Sequence, residues 1–261
     1  MESIYRKAAR MILNARHVTA FTGAGISVES GIPPFRGEGG LWSKYDPIFL
    51  EINYFHTHPA ESWKLIKEIF YDFFGKASPN EAHRVLAWME QQGLLKAVIT
   101  QNIDNLHQEA GSQTVYEFHG NSQKLVCTVC HREYRVQEVN LEQLPPTCPF
   151  CGGLLKPDFV FFGEPIPEPA NSSSFREAEI ADVFLLIGTS GEIMPASMIP
   201  QIAKSHGAKI IEVNLTPSNY THQITDIFLR GKATEVMRKL KEAILELRGN
   251  VPEGQHTGEP Q

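Results

Sequence analysis

The stretch FTGAGISVESGIPPFRGEGGLW (residues 21–42) begins like a nucleotide-binding unit and then departs from the pattern. The apolar run His17-Val18-Thr19-Ala20-Phe21 reads as a strand, and Gly23, Ala24 and Gly25 follow at once. A phosphate-binding turn needs small residues there, so that backbone can approach a diphosphate. The third glycine of Gly-x-Gly-x-x-Gly belongs at position 28, yet residue 28 is valine and glycine returns only at Gly31. The loop is therefore longer than in a plain dinucleotide fold. Within it Phe35 offers an aromatic face and Arg36 a cation. No acidic residue stands at a strand end about 20 residues on, which weakens a dehydrogenase reading. Taken alone, the Gly-Ala-Gly turn also fits a simple tight strand-to-helix connection.

Outward from this loop, strand and helix patterns alternate. Helical spacing marks residues 2–15, 59–74, 79–93, 175–181, 196–206 and 234–248. Strand-like runs are 17–22, 94–102, 114–121, 156–164, 182–190 and 208–214. Four strands end in polar clusters: Thr22-Gly23, Gln101-Asn102, Gly188-Thr189-Ser190 and Asn214. In an open parallel sheet ligands bind beyond the carboxyl ends of the strands, so these clusters should share one edge. The expected fold is α/β. A Rossmann-like doubly wound parallel sheet (1–33, 79–121 and 157–248) carries a smaller domain made of a helical insert (34–78) and a zinc-ribbon insert (122–156). The polar stretch 249–261 reads as a disordered tail.

The chain has 261 residues and a net charge of −6, with 42% hydrophobic and 21% charged residues. That composition describes a globular protein with a sizeable core. Its acidity argues against direct nucleic-acid binding, which needs a basic footprint. MESIYRKAARMILNARHV (1–18) breaks its apolar residues with Arg and Lys, so no signal peptide is expected. No run approaches the ~18 apolar residues of a membrane span. A cytoplasmic protein, without a membrane partner and monomeric, is expected.

In a reducing compartment four cysteines point to metal rather than disulfides. Cys127, Cys130, Cys148 and Cys151 form C-x2-C-x17-C-x2-C and are all the cysteines in the chain. Two such knuckles bring four thiolates around one structural zinc ion. Four protein ligands leave no position for water or substrate, so the metal is not expected to catalyse. A thioredoxin-like redox pair and unpaired core cysteines are the other readings. His119 ends the 114–121 run beside Gly120, a setting that suits a general base reaching into a cleft, though such a histidine is also often structural. No Gly-x-Ser-x-Gly sequence supports a serine hydrolase.

Together these residues resemble the sirtuins, NAD-dependent protein deacylases. The resemblance rests on Gly23-Ala24-Gly25-Ile26-Ser27, Gly31-Ile32-Pro33 with Phe35-Arg36, Gly40-Leu41-Trp42, Thr100-Gln101-Asn102-Ile103-Asp104, His119-Gly120, the four cysteines, Val160-Phe161-Phe162-Gly163-Glu164, Gly188-Thr189-Ser190 and Val213-Asn214. It runs in order over about residues 2–245 and is closest to the compact prokaryotic members. It implies that NAD is a co-substrate bound by Gly23, Ala24, Gly25, Ile32, Phe35, Arg36, Trp42, Gln101, Gly188, Thr189, Ser190, Asn214, Leu215 and Ala233. Asn102, Ile103 and Asp104 would form the nicotinamide pocket, and His119 and Asn102 would be catalytic. Val160, Phe161, Phe162, Gly163 and Ile193 would meet the acyl-lysine. By the same resemblance, the acyl-lysine amide oxygen attacks C1′ of the nicotinamide ribose and nicotinamide leaves. His119 then activates a ribose hydroxyl. The products are lysine, nicotinamide and O-acyl-ADP-ribose, and the partners are acyl-lysine proteins of chromatin or metabolism.

Relatives that prefer acidic acyl groups carry a Tyr-x-x-Arg pair before the Pro-Asn segment. The matching positions here are Ile66 and Ile69, and neither Lys67 nor Phe70 restores the pair. Neutral acyl groups are therefore expected, although Ile66 and Ile69 could equally be ordinary core residues. Glu192 places an acid beside the expected peptide site, where it either favours basic flanking sequence or is a solvated loop charge. The alternatives carried are a mono-ADP-ribosyltransferase and a non-enzymatic NAD-binding or zinc-ribbon module.

Overall fold

The computed structural model describes residues 2–35 and 39–249. In chain order the strands are β1 Val18–Thr22, β2 Ala97–Thr100, β3 Val115–Glu117, β4 Gly120–Cys127, β5 Glu133–Arg135, β6 Leu155–Phe159, β7 Val183–Ile187, β8 Lys209–Asn214 and β9 Ile227–Arg230. The helices are α1 Ile4–Asn14, α2 Ile52–Thr57, α3 Pro59–Ile66, α4 Glu81–Gln91, α5 Leu106–Glu109, α6 Ala170–Ile180, α7 Met198–Ser205 and α8 Ala233–Gly249.

Six strands form one sheet in the order β3-β2-β1-β7-β8-β9, and every pairing in it is parallel. The chain winds from β1 outward through β2 and β3, then returns to β7 on the other side of β1. Strand order therefore reverses between β1 and β7, where a doubly wound sheet leaves a crevice at its carboxyl edge. β1 (VTAFT) and β7 (VFLLI) are buried at every residue, as strands covered on both faces must be. Along β7 the side chains alternate. Val183, Leu185 and Ile187 pack with α1, α4 and α8, whereas Phe184 and Leu186 pack with α6 and α7. Helix starts are specified locally: Ser3 accepts from Arg6 N at 3.2 Å for α1, and Asn80 accepts from Ala82 N at 2.9 Å for α4.

A second core is built from both inserts. Leu41, Phe49, Phe55 and Trp63 of the helical insert pack with Leu125, Leu155 and Phe159 of the cysteine module. The Trp63 indole N–H donates to Leu155 O at 2.8 Å and ties the two together. The cysteine module carries a small antiparallel sheet, order β5-β4-β6.

Several elements differ from expectation. The run 114–121 is not one strand. β3 ends at Glu117 in the large sheet, and β4 begins at Gly120 in the small one. Gly120 has φ +76° and lies hard against the Asp158–Phe159 backbone, so only a residue without Cβ makes that turn. The run 156–164 is a strand only within β6, which pairs with β4 rather than with the parallel sheet. The boundary expected at 156/157 thus falls inside β6. β5 and β9 were not anticipated, being three and four residues long with little to mark them. The helix expected over 59–74 passes from α3 into a π-helical turn, Lys67–Phe73. α6 begins earlier than expected, at Ala170. The tail beyond Gly249 lies outside the described residues. Among the described residues no helix is long and apolar enough to cross a membrane.

Candidate functional site

The glycine loop is held by the neighbouring strand end. Gly23 N–H donates to Ile187 O at 3.0 Å, and Gly25 N–H to Gly188 O at 2.9 Å. A Cβ on Gly25 would lie 2.5 Å from Gly188 Cα, and one on Gly23 would lie 2.7 Å from Gly188 O. Gly188 itself has φ +62°. These glycines let two strand-end loops cross backbone on backbone at the switch point. The chain then makes two 3-10 turns, Ala24–Ile26 and Val28–Ser30, closed by Gly31 at φ +92°. No long helix starts here. The third glycine of the fingerprint serves close helix–strand packing, and that packing is absent, so Val28 fits. It is 44% exposed and faces the cleft.

The cleft has a volume of about 1280 Å³ and is walled by the sheet edge and the second core. Gly23, Ala24, Gly25, Phe35, Trp42, Gln101, Asn102, Ile103, Gly188, Thr189, Ser190, Asn214, Leu215 and Ala233 all line it. So do His119, Val160, Phe161, Phe162, Gly163 and Ile193. All four polar strand ends therefore meet, as parallel strands require. Two expected residues lie behind the wall. Ile32 is packed into the second core, and the Asp104 carboxylate turns back to accept from Ser27 Oγ at 2.6 Å and Leu106 N at 3.1 Å. Arg36 lies outside the described residues. Sequence reasoning missed Leu50, Phe70, Phe159 and Ile166, which come to the cleft from distant segments.

Side chains at the strand ends bond to one another. Gln101 Nε2 donates to Thr189 Oγ1 at 3.0 Å, and Asn214 Nδ2 donates to Thr189 O at 3.0 Å. Asn102 Nδ2 donates to Gly23 O at 3.1 Å and Ser27 Oγ at 3.3 Å, fixing its amide at the cleft floor. Under that floor His83 Nδ1 takes the Asn80 backbone N–H at 3.3 Å, so Nε2 carries the proton and faces Ser27 Oγ at 3.4 Å. His107 Nε2 lies 2.9 Å from Thr22 Oγ1, and its ring packs edge-on to His83 at 4.9 Å. Burial drives the His83 pKa down to about 4 and that of His107 well below the usual range. Both rings are therefore neutral near pH 7, and the floor carries no imidazolium.

His119 stands in the gap between β3 and β4. Its Nδ1 is 3.0 Å from Gln101 O, and its own carbonyl accepts from Val160 N at 2.8 Å. A carbonyl only accepts, so Nδ1 carries the proton and Nε2 keeps the lone pair. Burial lowers the His119 pKa, while the Gln101 carbonyl opposes the shift. The ring is thus neutral and oriented on the cleft wall.

The other end of the cleft is apolar. Leu50, Phe70, Phe159 and Phe161 line it, each under 10% exposed. The π-helical turn brings Phe70 to this wall, whereas Ile66 and Ile69 belong to the second core and do not line the cleft. Lys232, beside the β9–α8 junction, is the one cation lining the cleft among the described residues. Glu192 is exposed on the rim with no hydrogen-bond or ion-pair partner among those residues.

The four cysteine sulfurs lie within 4.8 Å of one another, and none is in a disulfide. Cys127 Sγ is 3.5 Å from Cys151 Sγ, and Cys130 Sγ is 3.7 Å from Cys148 Sγ. A tetrahedron with Zn–S of about 2.3 Å has edges of roughly 3.8 Å, so the set fits one zinc ion. Val129 N and Cys130 N donate to Cys127 Sγ at 3.4 Å, and the Tyr134 hydroxyl meets Cys148 Sγ at 3.1 Å. Such donors favour thiolates, the form that binds metal.

A model of the Sir2 family matches residues 23–195. The chain is 48% identical over 247 residues to the NAD-dependent protein deacylase of Thermococcus kodakarensis, covering 92% of this chain and 95% of that protein. It superposes on a Sir2 homologue mutant in complex with ADP-ribose with a TM-score of 0.90 at 38% identity, covering 96% and 99% of the two chains. A Sir2 complex with p53 peptide and NAD+ gives a TM-score of 0.85 at 36% identity, covering 93% and 98%.

Proposed function

The chain belongs to the Sir2 family and is an NAD-dependent protein deacylase; from that premise we propose that it removes neutral acyl groups from protein lysine, with His119 as the general base. NAD supplies the electrophilic C1′ of its nicotinamide ribose and loses nicotinamide there; one water is consumed as the amide C–N bond breaks, releasing lysine and leaving the acyl group on ADP-ribose as O-acyl-ADP-ribose. The glycine crossing presents bare backbone where a diphosphate needs close approach. Gln101, Thr189, Ser190 and Asn214 stand at the same edge to hold ribose and phosphate. Asn102 and Ile103 border the nicotinamide end, and Asp104 acts from behind the wall by fixing Ser27.

The observation that carries this reading is the 3.0 Å contact between His119 Nδ1 and Gln101 O. With Nδ1–H held by Gln101 O, Nε2 is left to take a proton from a ribose hydroxyl. An acyl-lysine amide is uncharged and enters the apolar end without the desolvation cost that an ammonium would meet. Among the described residues no cation lines that end, so a dicarboxylic acyl group finds no counter-charge. Confinement of both substrates in one cleft supplies proximity.

The test is a peptide panel carrying acetyl, butyryl, myristoyl and succinyl lysine, each with and without NAD. The reading expects NAD-dependent deacylation of the neutral groups and little on succinyl-lysine. Preferred turnover of succinyl-lysine would overturn the neutral-acyl assignment, and deacylation without NAD would overturn the mechanism.

A further inference from the structure

The wall that meets the acyl-lysine is not part of any regular element. After β6 the chain runs through Val160, Phe161, Phe162 and Gly163, all lining the cleft. Its backbone is pinned on both sides. Val160 N donates to His119 O at 2.8 Å, Phe162 N to Leu50 O at 2.8 Å, and Ile52 N to Phe162 O at 3.0 Å. Phe161 N has no such backbone acceptor. It donates instead to the side chain of Glu164, Oε2, at 2.8 Å.

That same oxygen accepts a second donor, the Lys156 ammonium at 3.0 Å. Lys156 lies within β6, on the cysteine-bearing sheet, and its side chain is only 12% exposed. Its other two protons are also committed, to Pro157 O at 2.9 Å and Phe159 O at 2.8 Å. The ammonium sits 4.2 Å above the Phe161 ring, which in turn packs on Phe55 and Phe159. One ammonium thus holds the last strand of the module, the carboxylate that takes the Phe161 N–H, and the face of a cleft-lining ring. A partly buried ion pair is a poor route to net stability, since apolar side chains of similar volume often do as well. What it supplies here is direction. It fixes where one backbone N–H points, and therefore where the wall stands.

We propose that Lys156 and Glu164 are a positioning pair that holds the acyl-lysine wall, residues 160–163, in register with His119 and so couples the cysteine module to substrate binding. Neither residue takes part in the chemistry. The pair acts on the peptide side of the cleft and leaves the glycine crossing, on the other side, untouched. The proposal rests on the deacylase reading above.

The experiment compares the full chain with Lys156→Met, Lys156→Arg and Glu164→Gln. KM for an acetyl-lysine peptide, KM for NAD and kcat are measured, with ADP-ribose binding by calorimetry on the same preparations. Lys156→Met should raise the peptide KM about tenfold or more while the NAD KM stays within about twofold. Lys156→Arg keeps the charge and should stay within about threefold of wild type. Glu164→Gln keeps an acceptor for Phe161 N–H but loses the charge, and should raise the peptide KM by less than Lys156→Met. Adding it to Lys156→Met should cost little more, because the two share one interaction. A folded Lys156→Met protein with unchanged peptide KM overturns the proposal. So does an equal loss of NAD and peptide binding that arginine fails to rescue. If the methionine variant does not fold, Glu164→Gln decides by the same split. A wild type that binds ADP-ribose but does not deacylate would overturn the deacylase reading and this inference with it. An active wild type with indifferent variants overturns only the inference.

Discussion

The two ends of the cleft are built by different physics. The switch-point end is made of backbone: Gly23, Gly25 and Gly188 cross within van der Waals reach, and the polar side chains follow from where parallel strands stop. The apolar end is made of side chains brought together over long distances, with Leu50, Phe70 and Phe159 held in a second core and Lys156 paired with Glu164. The first end is rigid by construction and tolerates no added atom. The second is built from packed side chains and stands beside one ion pair and the cysteine module, so variants can perturb it separately.

The largest effect expected is at the boundary between the ends. His119→Ala should lower kcat by about 10²- to 10⁴-fold with the fold intact. Full turnover in a folded variant would remove His119 from its role. The metal tests the second end alone. Cys127→Ser or a strong chelator should abolish stoichiometric zinc and unfold the module, because structural zinc binding is folding energy there. A zinc-free chain with unchanged melting and peptide KM would break the comparison.

The glycine crossing tests the first end. Gly188→Ala places Cβ against the Gly25–Ile26 backbone at φ +62° and should cost about 1–3 kcal/mol from strain alone, with weakened NAD binding. Gly207→Ala is the control. Its φ is +97°, but a Cβ there meets nothing within 4 Å, so NAD affinity should hold. Equal losses of NAD affinity in both would show that the close crossing is not what matters.

The buried histidines give a pH signature. His83 has a folded pKa of about 4 against an unfolded value of 6.5. The unfolded chain therefore binds the proton more readily between those values. Stability is full above pH 6.5 and declines as pH falls toward 4, by about 3 kcal/mol for one such group, and His107 acts in the same direction. Urea melts at pH 7 and pH 5 read this directly, and equal midpoints would contradict it. For activity, burial of His119 should set the acid limb of the rate below the ordinary histidine value. The smallest effect is at Glu192, exposed and without a partner among the described residues. Glu192→Gln should change the preference for basic-flanked peptides by only about twofold, since salt screens an exposed charge.

The difference between the ends also decides what the sequence revealed. A glycine spacing, a cysteine spacing and apolar runs ending in polar residues are local signals. They gave the parallel sheet, the cysteine cluster and most of the cleft's polar edge. The break at Phe118-His119 was missed because its cause, the Asp158–Phe159 backbone packed against Gly120, is some forty residues away. The same holds for Phe70. The match to relatives with a Tyr-x-x-Arg pair put Ile66 and Ile69 forward, but the π-helical turn adds a residue and rotates the face, so Phe70 lines the cleft. The pair Lys156–Glu164 spans only eight positions, yet nothing in that spacing tells that the two side chains meet at 3.0 Å or that Glu164 also takes the Phe161 N–H. Short strands such as β5 and β9 owe their existence to a neighbour rather than to their own pattern.

The most direct measurement follows nicotinamide and free lysine in one reaction with an acetyl-lysine peptide and NAD. The account predicts that both appear one-for-one in the wild type and that lysine formation collapses in His119→Ala. Nicotinamide released without lysine by the wild type, or lysine formed without nicotinamide, would contradict it.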